Sequence, residues 1–270
     1  MKWMLALFAV LMASPALAQA VPGSSKEPIE ISAARSLEWN RKNHTYVARK
    51  EAVAKQGAFR ISSDLLTAHY DEKKGATNIY ELSADSHVVI ENPPYTAYGD
   101  KAVYDVALGQ ATMTGGDLKI MTPSETLTAR DRIEFFSREN RLTATGDATA
   151  VRATDSVKAD LLSAYFEKDV KTGRLAMTKV TADGHVTVRT ARETVQGDKG
   201  VYNIAAQKAV LTGKVRLNQG QNWLEGTRAE VDMKTGISQL FAEGRKETEG
   251  RVKGIFYPKA APAPPENPSP

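Results

Sequence analysis

The sequence predicts an all-β protein, an elongated, curled, two-layered structure of stacked short strands. Three observations predict it. Short alternating runs separated by Gly, Asn, Asp and Lys fill the chain; no convincing helical period lies between Trp39 and Tyr257; and two short phrases keep returning. The first phrase is clearest at Thr181-Ala182-Asp183-Gly184-His185-Val186-Thr187-Val188. The second reads Gly99-Asp100-Lys101-Ala102-Val103-Tyr104 and again Gly197-Asp198-Lys199-Gly200-Val201-Tyr202.

The N-terminus comes first. Lys2 is the only charge before Lys26, Trp3 to Met12 is uninterrupted apolar sequence, and Ser14-Pro15 breaks it. Ala16-Leu17-Ala18 and Ala18-Gln19-Ala20 both fit a small-x-small cleavage site. The pattern predicts a secretory signal peptide over residues 1–20, too short to span a bilayer, followed by a flexible lead-in over 21–28. No cysteine follows that could carry a lipid anchor, and no later stretch is long and apolar enough to cross a membrane. The expected location is the periplasm.

The folded part is expected over residues 29–257. Ile29-Glu30-Ile31-Ser32 alternates, and Leu37-Glu38-Trp39 follows. Further on, Val88 and Ile90, Leu118 and Ile120, Val186 and Val188, and Val215 and Leu217 each put two apolar side chains on one face of a strand. The phrases recur at an offset of 96–98 residues. Asp64-Leu65-Leu66 returns as Asp160-Leu161-Leu162, His87-Val88 as His185-Val186, and Thr114-Gly115 as Thr212-Gly213. Within each block lie three units of about 30 residues. A unit that small cannot bury its own apolar face and must stack on its neighbours, which leaves one continuous apolar seam inside.

The corners fall at Lys50, Ser86, Gly115, Gly146, Gly184, Gly213 and Gly244. Glycine there admits positive φ; Lys50 and Ser86 imply corners of looser or different shape. The end, 258–270, is Pro- and Ala-rich and is read as a disordered tail.

Composition excludes several chemistries. With no cysteine there is no disulfide, zinc-thiolate or thiol nucleophile. The net charge of +4 is interleaved along the chain, which describes a solvated surface and not a nucleic-acid footprint, though it suits an acidic partner near a membrane. His44, His69, His87 and His185 lack metal-ligand spacing, so no metal and no cofactor is expected. Asp100, Asp131, Asp160 and Asp198 recur because the turn recurs, each expected to bond its own backbone there, and not as the paired carboxylates of a glycosidase. No nucleophile elbow, phosphate loop or dinucleotide motif appears. No catalytic residue is assigned. Tyr104, Phe135, Tyr165 and Tyr202 follow the recurring acid by four or five residues and are read as a ladder of core aromatics.

Several stretches carry a resemblance: Pro28-Ile29-Glu30-Ile31-Ser32-Ala33-Ala34, Ala182-Asp183-Gly184-His185-Val186, Leu211-Thr212-Gly213-Lys214-Val215, Gln219 to Gly226, and the closing Gly250 to Pro258. Together with the Gly-Asp-Lys-x-Val-Tyr phrase they resemble the LptA/OstA-like family of periplasmic lipopolysaccharide-transport proteins, over almost the whole span from Pro28 to Pro258. The resemblance implies a curled antiparallel β jelly roll, open at both ends, that shields lipid acyl chains and has no enzymatic activity. It implies lipopolysaccharide as cargo, handed from an inner-membrane LptC-like protein to an outer-membrane LptD-like protein, with head-to-tail homo-oligomers between. Val88, Ile90, Leu118, Ile120, Val186, Val188, Val215 and Leu217 are then the interior lipid-binding candidates. Ile29 and Ile31 at one end, and Val252 and Ile255 at the other, are the partner edges, with Arg245, Lys246, Arg251 and Lys253 beside the second. Two other readings stay open: a scaffold of the same fold with a filled core, and a carbohydrate-active β-helix enzyme.

Overall fold

The computed structural model of the chain describes residues 28–73, 76–169, 175–242 and 251–257. The expected signal peptide, nearly all of the expected lead-in, the expected tail, Gly244, Arg245 and Lys246 lie outside the described residues.

Every regular element among the described residues is a β-strand, and every pairing is antiparallel. Eighteen strands form one sheet. In chain order they are β1 (Glu30–Ser32), β2 (Ser36–Asn40), β3 (Thr45–Gln56), β4 (Phe59–Lys73), β5 (Ala76–Asn92), β6 (Tyr95–Asp105), β7 (Gln110–Thr114), β8 (Lys119–Met121) and β9 (Glu125–Thr128). Then follow β10 (Arg132–Phe136), β11 (Arg141–Arg152), β12 (Asp155–Lys168), β13 (Leu175–Arg189), β14 (Thr194–Asn203), β15 (Lys208–Gln219), β16 (Asn222–Asp232), β17 (Ile237–Phe241) and β18 (Lys253–Ile255).

The strands stack as bent rungs. The register of β5 on β6 shifts between Asp85 and Val88, that of β13 on β14 between Asp183 and Val186, and that of β15 on β16 between Thr212 and Val215. A bulge kinks its strand, so each long strand is two short arms joined at a corner. The short strands expected from the alternation are these arms. Elsewhere the corner interrupts the strand outright: β7 and β8 both pair with β6, and β9 and β10 both pair with β11. The first rung is β1 plus β2, both on β3; the last is β17 plus β18, both on β16. The result is a β jelly roll whose two arms close over one apolar interior, with the outer edges of its first and last rungs unpaired among the described residues.

Four of the corners share one geometry. Gly146 and Asp147 have φ of 87° and 46°, and Gly184 and His185 have 77° and 48°. Lys50 and Glu51 (66°, 49°) and Ser86 and His87 (65°, 54°) reproduce this pair. The corners at Lys50 and Ser86 are therefore not of a different shape; they adopt the left-handed conformation at the cost a side chain brings there.

The recurring acids also differ from expectation. They do not fold onto their own turns. Each reaches the corner of an adjacent rung: the Asp160 carboxylate lies where a Cβ on Gly184 would stand, as do Asp131 at Gly146 and Asp198 at Gly213. The Gly116 amide donates to Asp100 Oδ2 at 2.8 Å. Where the corner carries histidine, the ring meets the same acid, His87 with Asp64 at 2.9 Å and His185 with Asp160 at 2.7 Å. That hydrogen bond and the carboxylate charge raise the His185 pKa.

The aromatic ladder needs one correction. Tyr202 is fully buried, and Tyr104 and Phe135 point inward. Tyr165 does not: it lies beneath the Lys179 ammonium, 4.1 Å from the ring centroid, and its neighbour Phe166 is buried instead. Leu162, Ala164 and Phe166 hold the inner face of this arm of β12 with an unbroken period of two, which leaves Tyr165 outside; the register slip beside them adds Thr178 to β13. Ala68 and Tyr70 share the inner face of β4 in the same way, and Tyr70 is buried.

Candidate functional site

The inner faces of the arms build the site. In the rungs nearest the N-terminus those faces carry many alanines: Ala48, Ala54, Ala68, Ala84, Ala97, Ala102 and Ala111. A methyl group cannot reach across to the opposite arm, so the interior stays hollow. One cavity of about 380 Å³ runs from the first rung inward, walled by Ile31, Trp39, Tyr46, Ile61 and Leu66. A second, of about 220 Å³, continues past Ile120, Leu127 and Ile133 toward Phe166 and Val180. The two share Phe59, Ile90, Ala102, Ala111 and Phe135, so they adjoin end to end.

The remaining rungs are filled. Val186, Val188, Val195 and Val215 are at most 1% exposed and pack with Tyr202 and Leu211 in the same core cluster. The larger β-branched side chains on this arm close the gap that alanine leaves open elsewhere. The interior candidates thus divide. Ile90 and Ile120 line the hollow stretch. Val88, Leu118, Val186, Val188, Val215 and Leu217 are inward but sit in packed core, away from either cavity wall.

The first-rung end is open and apolar. Ile29, Ile31, Leu37 and Trp39 border the larger cavity and are themselves 42–61% exposed. Trp39 is held rigidly: its Nε1 donates to Tyr70 Oη at 2.7 Å, its ring stacks on Tyr46 at 5.7 Å, and the Arg41 guanidinium covers it at 4.2 Å. At the opposite end Ile237, Val252, Ile255, Phe256 and Tyr257 are exposed, beside exposed Arg251 and Lys253. Ile29, Ile31, Val252 and Ile255 therefore all lie on the terminal rungs or directly beside them.

Polar side chains appear at the hairpin tips of one arm. Asn92 ends β5 opposite Tyr95 of β6, and Glu125 opens β9 opposite Arg152 of β11. Asn92, Tyr95 and Glu125 all face the smaller cavity. Burial pushes the Glu125 carboxyl above its ordinary pKa, and the Arg152 charge opposes this. Burial, and then the Glu125 charge, raise the Tyr95 phenol. Glu193, at another tip, is buried and likewise raised by desolvation. Nothing in the sequence marked these residues; they are isolated polar side chains in turns.

A rolled antiparallel sheet with an apolar channel reaching one open end defines a class, the channel-bearing β jelly rolls. The family described as LptA/(LptD N-terminal domain) LPS transport protein matches twice, over residues 30–135 and 129–237. The chain belongs to this family of lipopolysaccharide-transport proteins. It is 27% identical over 169 residues to an uncharacterized protein of Rhizobium meliloti (strain 1021), covering 60% of this chain and 87% of that one. Among solved structures it matches LptH, the LptA-homologous periplasmic component of the lipopolysaccharide transport device of Pseudomonas aeruginosa. That match has 14% identity, 86% and 96% coverage of the two chains and a TM-score of 0.22.

Proposed function

We propose that this protein is a periplasmic carrier, without enzymatic activity, that shields the acyl chains of lipopolysaccharide and passes them from an LptC-like inner-membrane protein to an LptD-like outer-membrane protein. The observation that carries the reading is the hollow apolar stretch, open at the first rung and lined by Ile90, Ile120 and Phe135. An acyl chain of a dozen carbons loses on the order of 10 kcal/mol by leaving water for such a lining. Ile90 and Ile120 touch cargo in this account, while Val88, Leu118, Val186, Val188, Val215 and Leu217 hold the arms together and part as cargo advances. Unpaired strand edges add strands from other chains, so the β1–β2 rung of one copy meets the β17–β18 rung of the next through Ile29, Ile31, Val252 and Ile255.

Native mass spectrometry of the chain purified from a lipopolysaccharide-producing bacterium tests both halves. The expected spectrum shows bound acylated mass and multiples of the chain. Ala102→Phe, which fills the join between the cavities, removes the acylated mass; Ile255→Asp removes the multiples and leaves the acylated mass. A chain free of lipid would instead support a scaffold.

A further inference from the structure

The smaller cavity is not uniformly apolar. Asn92 is only 7% exposed and its Nδ2 is buried without a hydrogen-bond partner. Glu125 Oε1 is likewise buried without one; the Arg152 Nε stands 3.7 Å away, beyond hydrogen-bond length. Both side chains line the same cavity from adjacent hairpin tips. Neither position is loose. Asn92 is fixed by the β5–β6 register, and the Glu125 tip is locked by its amide donating to Thr122 Oγ1 at 3.0 Å and by the Thr122 amide donating to the Glu125 carbonyl at 2.9 Å.

Buried donors and acceptors in folded proteins are normally satisfied, and an exception asks for an explanation. A pure hydrocarbon cannot supply one. A group that both accepts and donates can: a secondary amide or a hydroxyl on an otherwise apolar chain would take a hydrogen bond from Asn92 Nδ2 and give one to Glu125 Oε1. We propose that Asn92 and Glu125 form a polar clamp in the channel wall that selects acyl chains bearing an amide linkage or a chain hydroxyl over unsubstituted ones. The proposal rests on the lipid-shielding reading and adds a chemical preference to it. Tyr95, opposite Asn92 in the β5–β6 register, lines the same cavity.

Competition against a fluorescent fatty-acid probe, with the full chain, tests the clamp. The competitors are myristate, 3-hydroxymyristate and an N-myristoyl amide. The hydroxylated or the amide chain is expected to bind about tenfold tighter than myristate, because the unsubstituted chain leaves two buried polar atoms without partners. Which of the two competitors gains names the preferred group. Asn92→Leu, similar in size, is expected to keep or strengthen myristate binding and to lose the tenfold preference; Glu125→Gln is expected to reduce it. Equal affinity of all three competitors for the unaltered chain would overturn the clamp while leaving the carrier intact. Failure of any chain to displace the probe, or of the probe to bind, would overturn both. A preference that persists undiminished in Asn92→Leu would place the selectivity elsewhere and overturn the assignment.

Discussion

At Gly184 a Cβ would stand 2.2 Å from the Asp160 carboxylate, at a φ of 77°. Two penalties coincide there, a left-handed backbone and a collision. Gly220 separates them, because it has a φ of 59° and nothing within 4 Å of a Cβ. Gly220→Ala should cost about 1 kcal/mol, the backbone penalty alone. Gly184→Ala should cost about 2–3 kcal/mol, and part of that should return when Asp160→Ala is added. Thermal or urea denaturation of the three variants reads the difference. Equal losses at Gly184 and Gly220 would mean that the acid yields freely and that the corner is held by backbone geometry only. The recurring Asp-Gly-His phrase was legible as a corner, but the acid's partner was not. The residue it serves belongs to an adjacent rung, and spacing along one chain does not reveal lateral neighbours.

Among the elements, alternation located the inward residues correctly wherever the register ran unbroken, as at Val186 and Val188, both fully buried. Distance from the recurring acid misplaced Tyr165, whereas the alternation of Leu162, Ala164 and Phe166 leaves it outside and turns Phe166 inward. Phe166→Ala should therefore cost about 3 kcal/mol, as loss of a core aromatic does. Tyr165→Ala should cost less, about 1 kcal/mol, the worth of a half-buried cation–π contact with Lys179. Equilibrium unfolding of both variants decides the parity, and the reverse order would contradict the register. Alternation was equally silent on hollow against filled. What separates the two stretches is side-chain size on facing arms: alanine at positions such as Ala97 and Ala102, valine at Val188 and Val195. Only the pairing of arms, known once the strands are bent, says which alanines face one another.

On the scale of the whole molecule, a roll that fills its interior at one end and leaves it open at the other has a direction. The open mouth at Ile31 and Trp39 and the packed stretch around Val186 and Val215 are joined by one continuous sheet. In the proposed function, cargo held in the hollow stretch would stay out of water, and the edges at β1–β2 and β17–β18, unpaired among the described residues, would let another chain prolong that shelter. Ile29 and Ile31 lie at the first rung, and Val252 and Ile255 at the last. Acyl chains that travel inside the roll would touch its inner face and not its outer one. Photo-crosslinking amino acids placed at Ile90 and Ile120, facing the channel, and at Thr187 and Arg216, on the outer face, test it in cells. Lipopolysaccharide should be captured from Ile90 and Ile120 alone; capture only from Thr187 and Arg216 would mean that acyl chains pass outside the roll.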